Sequence, residues 1–349
     1  MDQRTPRHLP SVAASVSRRD VILSKGTTAM KIGFIGLGNV GAKLAGSLLR
    51  HGIDTTVKDI ERRAAEPLIK QGAQWADTAK ELAEGSDIII TCLPSPAVST
   101  EVMEADGGVI AGLSDGKIWL EMSTTDETEV KRLGALVESK GAIPLDSPVS
   151  GGCHRATTGN IAISVGGDRE AFEKALPILT TMGRQVLHTG PLGTASVMKV
   201  VTNYLAGVQL ISTGEAFMVS KKAGVDLGVA YEAIRISSGN SFVHETEGQL
   251  ILNGSYNINF TLYHEVKDVS LFDQLGQELD VPLELSPLVV AVMKDGLKRY
   301  GPRAWSSMVV KRLEDDCGTD LRAPAFPEYL VDHEPEGKGA EIIVKGRTS

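Results

Sequence analysis

Lys199 stands inside Val197-Met198-Lys199-Val200-Val201, and Asn203 follows four residues later. On a helix that spacing puts both side chains on one face, pointing the same way. A charged lysine among such apolar flanks is costly unless it faces a site. Burial, or a second cation such as Lys267, lowers a lysine pKa from its ordinary value of about 10.4. A lysine tuned in that way can act as base in one direction and acid in the other, the pair of roles that alcohol oxidation and carbonyl reduction require at the same oxygen.

A second constellation, Gly36-Leu37-Gly38-Asn39-Val40-Gly41, has the spacing GxGxxG after a strand-like run and at the opening of a helix. Gly36 permits the tight turn, Gly38 lets the backbone approach a pyrophosphate, and Gly41 lets helix and strand pack closely. The helix N-terminus then offers unpaired N–H groups and partial positive charge to phosphates. Asp59, 18 residues past Gly41, stands where a carboxylate would accept hydrogen bonds from the adenine-ribose hydroxyls. A carboxylate there repels a 2′-phosphate, so the expected cofactor is NAD, with NADP still open because Arg62 and Arg63 follow closely. In a third stretch, Ser150-Gly151-Gly152 offers a hydroxyl and close backbone N–H donors, a set that suits a carboxylate.

The elements that must position these groups alternate. Strand-like runs at Lys31–Leu37, Thr55–Lys58, Asp87–Leu93 and Ile118–Met122 are separated by helix-length segments, among them Glu61–Gln71. That order predicts a parallel doubly wound α/β sheet of Rossmann type. Near-continuous apolar strands such as Ile88-Ile89-Ile90 fit burial on both faces. Pro144–Gly152 adds a strand and glycine turn, Ile161–Val165 and Gln185–His188 two more strands, and after Gly193 the period becomes helical. A helix over Thr194–Lys222, apolar on most faces, belongs in the core of an all-helical domain and could also meet a second subunit. The expected organisation is an extension over 1–29, a dinucleotide-binding domain over 30–192, an all-α substrate and oligomerisation domain over 193–321, and an extended tail over 322–349.

Composition narrows the function classes. The formal charge of −8 gives no broad positive field for nucleic acid or an anionic membrane. The three cysteines, Cys92, Cys153 and Cys317, are far apart and form no disulfide framework or CxxC pair, so the natural compartment is a reducing cytoplasm. Residues 1–29 hold no apolar run of signal-peptide or membrane-span length, and Met30 precedes the first strand as an alternative start. Their Arg and Ser content leaves a transit peptide open. His244, Glu245 and His264 show no metal-ligand spacing, and no metal is expected.

Between Met30 and about Arg312 the sequence resembles the β-hydroxyacid dehydrogenases, which include 3-hydroxyisobutyrate dehydrogenase and tartronate semialdehyde reductase. Four stretches carry the likeness: Gly33 through Gly41, Asp146-Ser147-Pro148-Val149-Ser150-Gly151-Gly152, Gly193 through Lys199 to Asn203, and Lys267-Asp268. The resemblance implies an NAD(P)-dependent enzyme that moves a hydride between a small 3-hydroxy acid and its semialdehyde. It implies Lys199 as general acid or base, Asn203 holding substrate and lysine, and Ser150, Gly151 and Gly152 receiving the substrate carboxylate. Leu93 and Pro94 would line the cofactor, Ser123 and Thr124 would lie near the nicotinamide ribose, and Lys267 would close over cofactor and substrate. A homodimer or homotetramer is implied as well.

Glu121 stands where many relatives have Asp, Cys153-His154 follows the substrate turn, and Ser237 through Phe242 are candidates for the acyl pocket. Two other functions stay open. One is oxidation with decarboxylation in the manner of 6-phosphogluconate dehydrogenase, disfavoured because Ala206 stands where those enzymes carry a carboxylate two turns past the lysine. The other is a dinucleotide-binding sensor without chemistry.

Overall fold

The computed structural model describes residues 17–19 and 30–346, so most of the expected 1–29 extension lies outside the described residues. Its sheet contains β1 (Ser17–Arg19), β2 (Ile32–Ile35), β3 (Thr55–Lys58), β4 (Gln74–Trp75), β5 (Ile88–Thr91) and β6 (Ile118–Glu121). It continues with β7 (Ile143–Asp146), β8 (Val149–Ser150), β9 (Ile161–Gly167), β10 (Gly183–Gly190) and β11 (Ala340–Ile343). The strand order is β1-β11-β10-β9-β7-β6-β5-β2-β3-β4, with β8 paired to β9 off this path.

From β4 to β7 all pairings are parallel. Because β3 and β4 lie to one side of β2, and β5 to β7 to the other, the winding order of the parallel strands reverses between β2 and β5, which opens the ligand crevice of a doubly wound sheet. β9 then pairs antiparallel with β7, while β10 and β11 run parallel to β9, so the sheet is parallel-dominated rather than wholly parallel. Strand burial follows sequence: Ile32, Phe34, Ile88, Ile89, Ile90 and Trp119 are fully buried, because helices cover both faces.

The helix Thr194–Lys222 leads into a helical half with Leu227–Arg235, Phe242–Asn253, Leu262–Glu278 and Ser286–Tyr300. Asp226, Ser241 and Thr261 cap three of these helices by accepting the N–H of the third residue on. Leu210, Phe217, Tyr231, Ile251, Leu262, Val269, Val289 and Met293 form the core of this half. The long helix buries Val200, Leu210, Phe217 and Met218 but exposes Leu205 and Val219.

The extended stretch from Arg322 onward crosses back to the sheet. Leu321 is buried, Arg322 Nη1 donates to Glu314 Oε1 at 2.7 Å, and Asn253 Nδ2 donates to the Phe326 carbonyl at 2.9 Å. Asp332 then accepts from Asn160 Nδ2 at 2.8 Å and Glu336 from Arg50 Nη2 at 2.9 Å. Glu341 on β11, itself buried, accepts from both Arg169 Nη1 and Nη2. The partners of these acids, Asn160, Arg50 and Arg169, lie far away in sequence, so nothing local marks the docking.

Candidate active site

Gly36 has φ +97, and a Cβ there would lie 2.3 Å from the Cys92 carbonyl oxygen. A Cβ on Gly41 would lie 2.0 Å from the Gly36 carbonyl oxygen. The fold itself therefore dictates both glycines. Gly38 differs, since a Cβ there meets nothing within 4 Å and no protein atom requires its absence. The open space over Gly38, next to a helix Gly41–Arg50 that has neither a side-chain cap nor an acid in its first turn, fits a pyrophosphate.

Asp59 sits across this turn and its carboxylate accepts from Leu37 N–H at 2.6 Å and from Glu61 N–H at 3.0 Å. It thus fixes the turn and its own orientation, with lone pairs left for a ribose hydroxyl. Val40 precedes the helix, and Asn39 Nδ2 donates to the Asn259 carbonyl of the helical half at 3.3 Å, bridging the two halves. After β5, Leu93 N–H donates to Ser123 Oγ at 2.7 Å, and Ser123 N–H donates to Glu121 Oε1 at 2.7 Å. Ser123 is buried, so it holds the Leu93-Pro94 loop from behind while Pro94 is exposed. Burial pushes the Glu121 carboxyl up to about 7.

The lysine cleft brings three segments together. Lys199 Nζ donates to Asn203 Oδ1 at 2.9 Å and to Ser150 Oγ at 3.4 Å. Asn203 Nδ2 donates to Asp268 Oδ2 at 2.5 Å, Lys267 Nζ pairs with Asp268 Oδ1 at 2.6 Å, and Lys267 also donates to the Thr124 carbonyl at 2.9 Å. Burial holds the Lys199 ammonium below its ordinary pKa; Asp268 opposes this and the Lys267 cation adds to it. Beside Lys199, Gly151 and Gly152 take φ +126 and +84, values that keep side chains out of the turn.

Two supporting groups carry no obvious local signal. Asp146, buried at the end of β7, accepts from Gly193 N–H at 2.9 Å, Ser196 N–H at 2.7 Å and Ser196 Oγ at 2.9 Å. It caps the long helix from another segment and so sets where Lys199 begins its reach. The sequence does hold a hint, because a 29-residue helix opening on Gly193, without an acid in its first turn, needs its cap from elsewhere. Glu265 is the other. Its Oε1 would meet a Cβ on Gly207 at 2.8 Å, two turns past Lys199 and next to Ala206. A carboxyl therefore reaches that position from a neighbouring helix even though residue 206 supplies none. Burial, with Glu247 and Asp268 close by, raises the Glu265 pKa well above the carboxylate range.

Among the described residues no group of three or more His, Cys, Asp or Glu could hold a metal ion, and no helix is long and apolar enough to cross a membrane. His244 Nε2 is engaged with the Tyr231 carbonyl at 2.9 Å and His264 Nδ1 with Thr261 Oγ1 at 2.8 Å.

A mixed doubly wound sheet with an open glycine turn, joined to a helical half that delivers a half-buried lysine, defines a dinucleotide-dependent oxidoreductase. Residues 31–190 match the model of the NAD-binding domain of 6-phosphogluconate dehydrogenase, and residues 193–313 match that described as NAD-binding of NADP-dependent 3-hydroxyisobutyrate dehydrogenase. The chain is 31% identical to 2-(hydroxymethyl)glutarate dehydrogenase of Eubacterium barkeri over 84% of its own length and 98% of that protein. It is 33% identical to the NAD-dependent L-serine dehydrogenase of Pseudomonas aeruginosa over 82% and 98% of the two chains. The crystal structure of 3-hydroxyisobutyrate dehydrogenase from Salmonella typhimurium superposes with a TM-score of 0.75 at 27% identity, covering 81% of this chain and 99% of that one. The chain belongs to the β-hydroxyacid dehydrogenase family, and its cofactor is NAD(P).

Proposed function

We propose that this enzyme interconverts a small 3-hydroxy acid and its semialdehyde, with Lys199 as general acid and base and with NAD preferred. The observation that carries this reading is the part-buried Lys199 ammonium, held between Asn203 at 2.9 Å and the Ser150 hydroxyl at 3.4 Å. The chemistry supplied by bound nicotinamide is acceptance or release of a hydride at the carbinol carbon. Gly36 to Gly41 and Asp59 would hold the pyrophosphate and ribose, with Leu93, Pro94 and Thr124 along the nicotinamide side.

In the oxidative direction neutral Lys199 takes the hydroxyl proton; in the reductive direction its ammonium returns it. Burial and Lys267 enlarge the neutral population near neutral pH. Asn203, itself fixed by Asp268, keeps Nζ on one line of approach, so the amine need not search rotamers before transfer. Ser150, Gly151 and Gly152 receive the substrate carboxylate through charge-assisted hydrogen bonds, which brings the adjacent carbinol to Nζ. The relatives' names agree with this class, since 2-(hydroxymethyl)glutarate, serine and 3-hydroxyisobutyrate are all 3-hydroxy acids.

A panel of 3-hydroxy acids with NAD and NADP, run beside Lys199→Ala, tests it. Turnover should favour NAD, and the variant should lose roughly 10²–10⁴ in kcat while cofactor affinity stays within about threefold. Unchanged kcat in the variant would remove the lysine from the mechanism, and cofactor binding without turnover would leave a sensor. Oxidation with decarboxylation is kept as a second reading by the Glu265 carboxyl beside Gly207, and stoichiometric CO2 release would select it.

A further inference from the structure

Arg155 lies one helical turn beyond the glycines of the substrate turn, in the short helix Gly152–Thr157. Gly151 makes room for it: a Cβ at Gly151 would sit 3.3 Å from Arg155 Cδ. The guanidinium stacks over Phe242 with its central carbon 5.0 Å from the ring centroid, and His154 lies parallel to the same ring at 6.4 Å. Phe242 begins the helix Phe242–Asn253 and is 47% exposed, so this large aromatic face is not spent on the core.

The bland account of Arg155 is that it docks the returning C-terminal segment through Glu334. Geometry speaks against that as its main part. The Arg155–Glu334 pair is long, 3.9 Å, and the Glu334 side chain is 58% exposed. An exposed pair of that length contributes little. The same segment is already docked by shorter bonds on either side, Asn160 to Asp332 at 2.8 Å and Arg50 to Glu336 at 2.9 Å. Asp332 adds a second nearby negative charge, but among the described residues no hydrogen bond occupies the donor fork of Arg155, which Phe242 holds flat within four residues of the turn that receives a carboxylate.

We infer that Arg155, backed by Phe242, is a second anion subsite, and that the preferred substrate is a 3-hydroxy acid with a further carboxylate on its carbon chain. This rests on the reading of Ser150, Gly151 and Gly152 as the seat of the first carboxylate. The first carboxylate takes the turn, the carbinol meets Lys199, and the distal carboxylate takes the guanidinium in the paired geometry that suits two planar groups. Glu334 is the resting partner that the distal carboxylate displaces, and Phe242 supplies an apolar wall along the intervening methylenes.

The experiment is calorimetric binding of 2-methylglutarate and of isobutyrate to the NADH-loaded full chain, for wild type, Arg155→Met, Arg155→Lys and Glu334→Gln. Wild type should bind the diacid at least tenfold tighter than the monoacid. Arg155→Met should erase that preference while changing isobutyrate affinity less than threefold, and Arg155→Lys should keep only part of it. Glu334→Gln breaks the same ion pair but leaves the guanidinium, so the preference should persist or grow. An equal affinity of wild type for both acids, a preference that survives Arg155→Met, or a loss in Glu334→Gln matching that in Arg155→Met would overturn the assignment. Because binding is read without turnover, a failure of the hydroxyacid reading would show as absent catalysis with the diacid preference intact.

Discussion

Six consecutive residues, Gly36 to Gly41, make the phosphate turn, whereas the lysine cleft draws Ser150, Lys199, Asn203, Lys267 and Asp268 from three separated segments. In the turn the bars on the first and last glycines are backbone oxygens, the Cys92 carbonyl against a Cβ on Gly36 and the Gly36 carbonyl against a Cβ on Gly41. In the cleft, each residue is constrained by a partner from elsewhere: Asn203 by Asp268, Lys267 by Thr124, and the whole lysine helix by Asp146. A turn pinned by backbone oxygens fails at once where a side chain is added against them. A cleft assembled at long range should lose function in graded steps as its supports are removed.

The sharpest break in that comparison lies inside the turn. Gly41→Ala should cost several kcal/mol, because a methyl group cannot coexist with a backbone oxygen 2.0 Å away, and thermal denaturation should show Tm lowered by roughly 5–10 °C or no soluble protein. Gly38→Ala, three residues earlier, should leave Tm within a degree or two, since its methyl enters open space. Its NAD dissociation constant, from fluorescence titration, should rise by roughly tenfold or more because the methyl occupies the pyrophosphate approach. If both variants behave alike, the division between fold-required and ligand-required glycines is wrong.

Asp268→Asn addresses the cleft. The Asp268 carboxylate raises the Lys199 pKa, so its removal lets burial and Lys267 lower that pKa further. The limb of the kcat/KM profile on which Lys199 loses its proton should move to lower pH, with kcat down severalfold because the charge-assisted bond that anchors Asn203 becomes a weaker neutral one. A profile that keeps its position would separate Asp268 from the lysine.

The smallest effect concerns Glu121. Its folded pKa of about 7 exceeds the ordinary 4.5, so the unfolded chain releases this proton first and stability falls between about pH 4.5 and 7, then levels off. Glu121→Gln keeps an acceptor for Ser123 N–H and removes that loss. The variant should match wild type in Tm at pH 4.5 and exceed it by a few degrees at pH 7.5. A gain that does not grow with pH would mean Glu121 is ionised in the folded protein.

Much of this was legible because the signals are periodic or contiguous. The alternation of apolar runs and helix-length segments locates β2, β3, β5 and β6, and the Thr194–Lys222 helix agrees with its structural bounds. The two-residue strands β4 and β8 are too short to show a period, and β11 is held by Arg169 and by Gln185 and Val186 of β10, all distant in sequence, so nothing local marks it. Lys199 and Asn203 were visible as an i, i+4 pair. Glu265 escaped because the residue it approaches, Gly207, belongs to a different helix, so no spacing along the sequence joins the two.

The pairing of β11 with β10 also sets an order on biosynthesis. Between Gly190 and Ala340 lies the whole helical half, so while a ribosome delivers that half the β10 edge has no neighbour on its outer side. An unpaired strand edge is a template for mispairing with another nascent chain. The nucleotide-binding half of this enzyme therefore cannot seal its own seam while the helical half is being made, and the seam closes only once Ala340–Ile343 has followed to zip it shut.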